Sequence, residues 1–137
     1  MINKIPKNPR LGQVLTQKLT ADKFNEILDY QKPITLVDEA IVKWNMRKGY
    51  NATLTIGGNR TLQIDQLTPG DYGTIKVVQD GTGIAHTLTL PTAYTNKVAN
   101  GGAGVLTLSG GAGNEIDIAT FYYDGNVIYW TVSLNFT

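Results

Sequence analysis

From Ile41 to the end of the chain the apolar residues recur with a period of two, and nothing in that span has helical spacing. Val42, Trp44 and Met46 alternate with Lys43, Asn45 and Arg47, and Ala52, Leu54 and Ile56 alternate with Thr53 and Thr55. Side chains of a strand point to opposite faces in turn, so these runs read as strands with one face in a core. They are short and heavily punctuated. Gly57-Gly58-Asn59 reads as a hairpin turn into a strand carrying Leu62 and Ile64, and Pro69-Gly70-Asp71 precedes Thr74 to Gln79. A turn at Gly81 to Gly83 leads to Thr87 to Leu90, closed by Pro91, and Val105 to Ser109 lies between two Gly-rich loops. Ile116 to Tyr123 and Val127 to Phe136 flank Asp124-Gly125-Asn126, the strongest hairpin signal in the chain. In the last strand Ile128, Trp130, Val132, Leu134 and Phe136 share one face. About eight short strands at such intervals predict an all-β fold, an antiparallel β-sandwich of jelly-roll-like type. A parallel α/β sheet is not expected, because no helical pattern separates the strands. Short look-alikes at Thr53, Thr87 and Leu106 follow no fixed period, so a solenoid is not expected either.

The first third is built differently. Residues 1 to 48 hold nine of the twelve Lys and Arg but five of the eleven acids, a net +4, while the remainder carries −3. All but one of the fifteen glycines, Gly12, fall after position 48. Met1 to Leu19 contains Lys4, Lys7, Arg10 and Lys18, no acid, and two helix-breaking prolines, Pro6 and Pro9, which predicts an extended arm. Thr20 then stands where it can cap a helix, with Asp22 at the positive end of the helix dipole. Ala21, Phe24, Ile27 and Leu28 form a stripe by their spacing, and Pro33 sets the limit of the helix. A helix of about three turns is marginal alone, so the stripe needs a partner surface. The organisation expected is an arm and short helix over 1–33 and a β-domain over 34–137.

A chain of 137 residues fits one domain with a short extension. With no Cys, thiolate nucleophiles, disulfides and Cys-type zinc clusters are excluded, and a single histidine, His86, excludes two-His metal motifs. No apolar run matches a secretory signal or a membrane span, so a soluble product without a leader is expected. Charged residues make up only 17%, which leaves Thr, Asn, Gly and Ser to cover the surface.

Few residues invite chemistry. His86 has no Ser or Asp at a recognisable spacing and reads as a surface or turn histidine. Asp65, Asp71, Asp80, Glu115, Asp117 and Asp124 sit mainly where turns are expected and read as turn formers; no calcium-loop pattern occurs. Gly101-Gly102-Ala103-Gly104 and Gly110-Gly111-Ala112-Gly113 lack the ending and the strand-to-helix context of a phosphate loop. Catalytic residues, metal and cofactor are expected to be absent. Tyrosines present an apolar ring with a polar rim, so Tyr94 in a loop and one of Tyr122 or Tyr123 are candidates for glycan contact, with Tyr122 preferred; Trp130 belongs with the core. The basic arm lacks interleaved aromatics and the whole chain carries only +1, which argues against nucleic acid. Its cations and apolar anchors, Ile2, Lys4, Ile5, Lys7, Arg10 and Leu11, suit docking on an acidic protein surface.

Gly70-Asp71-Tyr72-Gly73-Thr74-Ile75-Lys76-Val77-Val78-Gln79-Asp80, then Leu88-Thr89-Leu90-Pro91, then Asn114 to Gly125 with its Thr-Phe-Tyr-Tyr-Asp-Gly run, then Tyr129-Trp130, resembles a β-module of tailed-bacteriophage fibre proteins. It is most similar to head and tail fibre components of crAss-like and related gut phages, over roughly residues 50 to 137. The resemblance implies a non-enzymatic, homotrimeric virion protein, assembled in the host cytoplasm, anchored by its N-terminal segment to the capsid or another virion protein. It carries over no catalytic residues. No long shaft is present, which points to a short head fibre or capsid decoration protein. In that reading Phe24, Ile27 and Leu28 are the trimer contacts, and the loop from Tyr94 to Gly104 is displayed outward. The alternatives are a carbohydrate-binding module, a tail-associated receptor-binding protein, and a polysaccharide hydrolase whose carboxylates meet across a subunit boundary.

Overall fold

The computed structural model describes residues 20–26, 28, 29, 31–102, 104–110 and 113–137. A helix, α1, covers 20–26, 28, 29 and 31 and ends before Pro33, as its sequence predicts. Thr20 is itself helical rather than the residue before the helix. The arm expected over 1–19, with Ile2, Lys4, Ile5, Lys7, Arg10 and Leu11, lies outside the described residues, as does Ile27.

Ten strands follow: β1 (Ile34–Thr35), β2 (Ile41–Asn45), β3 (Asn51–Ile56), β4 (Arg60–Asp65), β5 (Tyr72–Gln79), β6 (Leu88–Thr89), β7 (Thr95–Val98), β8 (Val105–Leu106), β9 (Ile116–Tyr123) and β10 (Val127–Phe136). They form a larger sheet in the order β1-β3-β5-β9-β10-β7 and a smaller one in the order β2-β4-β6-β8. The fold is all-β, but the sheets are not antiparallel. Five pairings are parallel, β1–β3, β3–β5, β2–β4, β4–β6 and β7–β10; β5–β9, β9–β10 and β6–β8 are antiparallel. The jelly-roll-like antiparallel arrangement is therefore corrected. Parallel neighbours need a crossover connection, usually a helix. Here the crossover is a strand of the opposite sheet: β2 lies between β1 and β3, β3 between β2 and β4, and β4 between β3 and β5. Gly57-Gly58-Asn59 is accordingly not a hairpin turn, since β3 and β4 belong to different sheets. The strands of one sheet start at 34, 51 and 72 and those of the other at 41, 60 and 88, so this winding has no fixed sequence repeat.

Both sheets feed one core. Val42, Trp44, Leu62, Ile64, Leu88 and Leu106 enter it from the smaller sheet, and Ala52, Leu54, Ile56, Ile75, Val77, Phe121, Ile128 and Trp130 from the larger. These are the inward positions that the period of two assigns. Trp44 meets Phe121 edge to face with ring centroids 5.5 Å apart, and Phe121 meets Trp130 at 5.0 Å. The Trp44 indole N–H donates to the Gly49 carbonyl at 2.9 Å, so its one polar atom is satisfied. Gly73 makes this junction possible: a Cβ there would fall 2.7 Å from Phe121 and 2.8 Å from Trp44.

The last strand departs from its pattern. Ile128 and Trp130 are buried, but Leu134 and Phe136 are about half exposed. β7 pairs with β10 only as far as Trp130, which leaves the rest of β10 as an edge. An extra residue then enters the β9–β10 ladder between Ser133 and Phe136, where Asn135 takes φ 58°. Asn135 N–H donates at 2.8 Å to the buried carboxylate of Asp117, which also accepts the Ser109 N–H at 2.7 Å and the Ser109 hydroxyl. Asp117 is thus a strand residue tying a loop to the bulge, and not a turn former.

Candidate functional site

The alternation that buries Phe121 and Trp130 turns their neighbours outward, and the register brings three of those neighbours into a row. On the larger sheet Tyr72 of β5 stands opposite Tyr122 of β9, and Tyr122 stands opposite Tyr129 of β10. All three are exposed, at 62%, 52% and 42%. The row has two ends. At one, the Tyr50 ring lies 5.6 Å from that of Tyr72, centroid to centroid. At the other, Lys97 of β7 pairs with Tyr129 and places its ammonium 5.9 Å from the ring centre, within cation–π range. Neighbouring strands are about 4.8 Å apart, so Tyr72 and Tyr129 mark a span of about 10 Å.

Beside this row runs a second, of Asn51, Thr74, Thr120 and Thr131, in which the last two hydroxyls share a hydrogen bond of 2.6 Å. At the Tyr50 end the row opens on a cleft of about 290 Å³ between α1 and the β-domain, lined among others by Lys23, Glu26, Arg47, Tyr50 and Asp71. The Tyr129 end is fixed by the β9–β10 turn. Asp124 accepts the backbone N–H groups of Val127 at 2.7 Å and Asn126 at 2.8 Å. These bonds, Val127 first, hold its carboxyl below the usual carboxylate range, and the Tyr129 hydroxyl adds to the effect. The same bond to Asp124 holds the Tyr129 phenol above its ordinary value. Gly125 takes φ 106°, which the turn needs and a side chain would resist.

Of the expected contact residues, Tyr122 is exposed as anticipated, and Tyr123 is the buried one of the pair, its hydroxyl donating to the Gly125 carbonyl at 2.8 Å. Tyr94 lies in a loop, as expected; it is half-buried, packed edge to face on Tyr123 at 5.5 Å, and stands apart from the exposed row that contains Tyr122. Its loop is pinned, because Asn96 donates to the carbonyls of Pro91 at 2.8 Å and Tyr94 at 3.0 Å and accepts the Trp130 indole N–H at 3.0 Å. Thr95 to Val98 within that loop is strand β7. Tyr72 was missed as a site residue. Its parity with Thr74 and Lys76 places it outward, but only the β5–β9 register, a contact between segments far apart in sequence, puts it beside Tyr122. Phe24 and Leu28 are exposed, as are all the described residues of α1.

A second polar cluster sits where β3 crosses to β4. Asp38 binds Arg60 through two bonds, of 2.7 and 3.0 Å, and accepts the Gly57 N–H at 3.2 Å. The Arg60 bonds hold its carboxyl below the usual range. Asp80, likewise lowered, is held first by the Thr82 hydroxyl at 2.5 Å. His86 is buried, correcting the surface reading. Its backbone exchanges two bonds with the buried Gln79 amide, at 3.1 and 3.2 Å. The His86 Nε2 lies 3.4 Å from Asp80 Oδ1 but makes no hydrogen bond there. The carboxylates here are committed to the crossing turns, which makes the cluster a latch for the fold. Among the described residues no three His, Asp or Glu converge as metal ligands, and no helix is long and apolar enough to cross a membrane.

No protein-family model, curated protein or solved structure matches the chain.

Proposed function

We propose that this protein is a structural component of a tailed-phage virion, a short homotrimeric head fibre or capsid decoration protein without enzymatic activity. Residues 1–33 attach to the particle and the β-domain is displayed. The observation that carries this reading is the state of α1. Phe24 is 60% and Leu28 42% exposed on a helix whose described residues are all exposed. An amphipathic helix of this length is stable only when its stripe is covered, and copies related by a closed axis cover one another's stripes. The basic N-terminal third and the weakly charged, Thr-rich outer sheet agree with an anchor and a display head. Display of several copies on one particle turns weak single contacts into strong attachment.

Light scattering of the full chain after size exclusion tests the assembly. A mass three times the 14.9 kDa of one chain is expected. Phe24→Asp with Leu28→Asp should lower it, and a wild-type monomer at micromolar concentration overturns the trimer.

A further inference from the structure

We infer that the tyrosine row across β5, β9 and β10 is a binding platform for a linear, uncharged polysaccharide chain. This rests on the adhesive reading only for its biological purpose; the site itself is argued from its own geometry.

The occupant follows from the chemistry of the face. Tyrosine rings offer apolar planes with hydroxyl rims, which matches sugars, whose rings offer a C–H face with hydroxyl rims. Tyr72, Tyr122 and Tyr129 lie across adjacent strands, so they present a line of rings, and a linear polymer is the ligand that meets several at once. The hydroxyls of Thr74, Thr120 and Thr131 run parallel to the line within reach of sugar hydroxyls. Charge argues against other occupants. In the paired rows of this outer face the only ionised side chains are Lys76 and Lys97, too few to hold a phosphate backbone, and the second is engaged by Tyr129. The platform is also preorganised: β5, β9 and β10 are hydrogen-bonded along the row, and the turn leading to Tyr129 is fixed by the Asp124 bonds to Asn126 and Val127.

The neighbours at its two ends give the face a direction. The row is closed by Lys97 at one end and continues past Tyr50 into the cleft beside α1 at the other, so a longer chain would leave over Tyr50 toward Arg47 and Asp71.

The test is titration of the full-length protein with cello-, chito- and manno-oligosaccharides, read by tyrosine fluorescence and by backbone amide shifts. Saturable binding of at least one series is expected, with shifts centred on β5, β9 and β10. Tyr122→Ala should weaken it by roughly tenfold or more and Tyr72→Ala by a similar factor, while Tyr122→Phe should keep most of the affinity. Tyr94→Ala, away from the row, should leave binding unchanged if the fold is intact by amide spectrum. Absence of binding by all three series at millimolar sugar overturns the inference. So does loss of the trimer, rather than of sugar binding, in Tyr122→Ala, since the row would then be a subunit interface. A monomer that binds sugar through the row would leave this inference standing and remove the trimeric-fibre reading; a trimer that binds none would do the reverse.

Discussion

Two turns of this protein carry the same kind of sequence and end as different structures. Asp124-Gly125-Asn126 joins β9 to β10 as a hairpin within one sheet, whereas Gly57-Gly58-Asn59 carries the chain from the larger sheet to the smaller. The difference lies in who satisfies the turn. Asp124 bonds the N–H groups two and three residues ahead of itself, so the hairpin closes on its own chemistry. At the crossing, the Gly57 N–H and Arg60 are held by Asp38, and the Asn59 side chain accepts the Thr87 N–H at 3.0 Å. Those partners lie some twenty to thirty residues away along the chain. A locally satisfied turn specifies itself, and a crossing turn is specified by the rest of the fold.

The largest effect should come from the contact that makes the crossings worthwhile, the junction of the two sheets at Trp44 and Phe121. Trp44→Ala removes a fully buried indole and is expected to cost about 3–5 kcal/mol, read by urea denaturation. One cooperative transition is expected, since both sheets share the core. Two separated transitions, with the β9–β10 amides protected through the first, would mean that the hairpin region folds independently and the contrast is deeper than the single core implies.

A smaller effect separates the two turns directly. Asp38→Ala strands the Arg60 guanidinium and the Gly57 N–H and should cost about 1–2 kcal/mol, with faster hydrogen exchange in β4 and β6 as well as at the turn. Asp124→Ala should speed exchange only around residues 124–127 and disturb the neighbouring Tyr129. Equal spread of the two perturbations would break the distinction between local and distant satisfaction.

The same distinction governs how much of the molecule its sequence reveals. The helix stop at Pro33, the inward set from Val42 to Trp130 and the final hairpin are legible because each depends on neighbours in the chain. A period of two says which face of a strand is buried and nothing about which strand lies beside it, so the parallel pairing of β3 with β5 and of β2 with β4 was hidden. β7 was hidden too, because Thr-Asn-Lys-Val has no apolar alternation and owes its place to the bonds of Asn96. Burial of His86 and Asp117 depends on Gln79, Ser109 and Asn135, none of them adjacent. The tyrosine row is intermediate: the exposure of Tyr122 follows from parity, but its alignment with Tyr72 is a property of the β5–β9 register.

The smallest effect is expected from acid, and it sharpens the comparison by charge. Asp38 and Asp80 at the crossing and Asp124 at the hairpin are all held below their ordinary carboxylate values, by Arg60, by Thr82 and by the Val127 N–H respectively. A lowered value in the folded state means that the unfolded chain binds more protons near pH 4. The stabilisation is therefore complete above the ordinary carboxylate range and is lost as pH falls through the lower values of the folded protein. Two of the three groups sit at the crossing. Lowering the pH from neutrality should consequently loosen the β3–β4 crossing before the β9–β10 turn, as read by amide exchange. Asp38→Asn with Asp80→Asn should then flatten the acid limb of the urea midpoint more than Asp124→Asn does. A steeper dependence on Asp124 would place the acid-sensitive point of the fold in its most local turn.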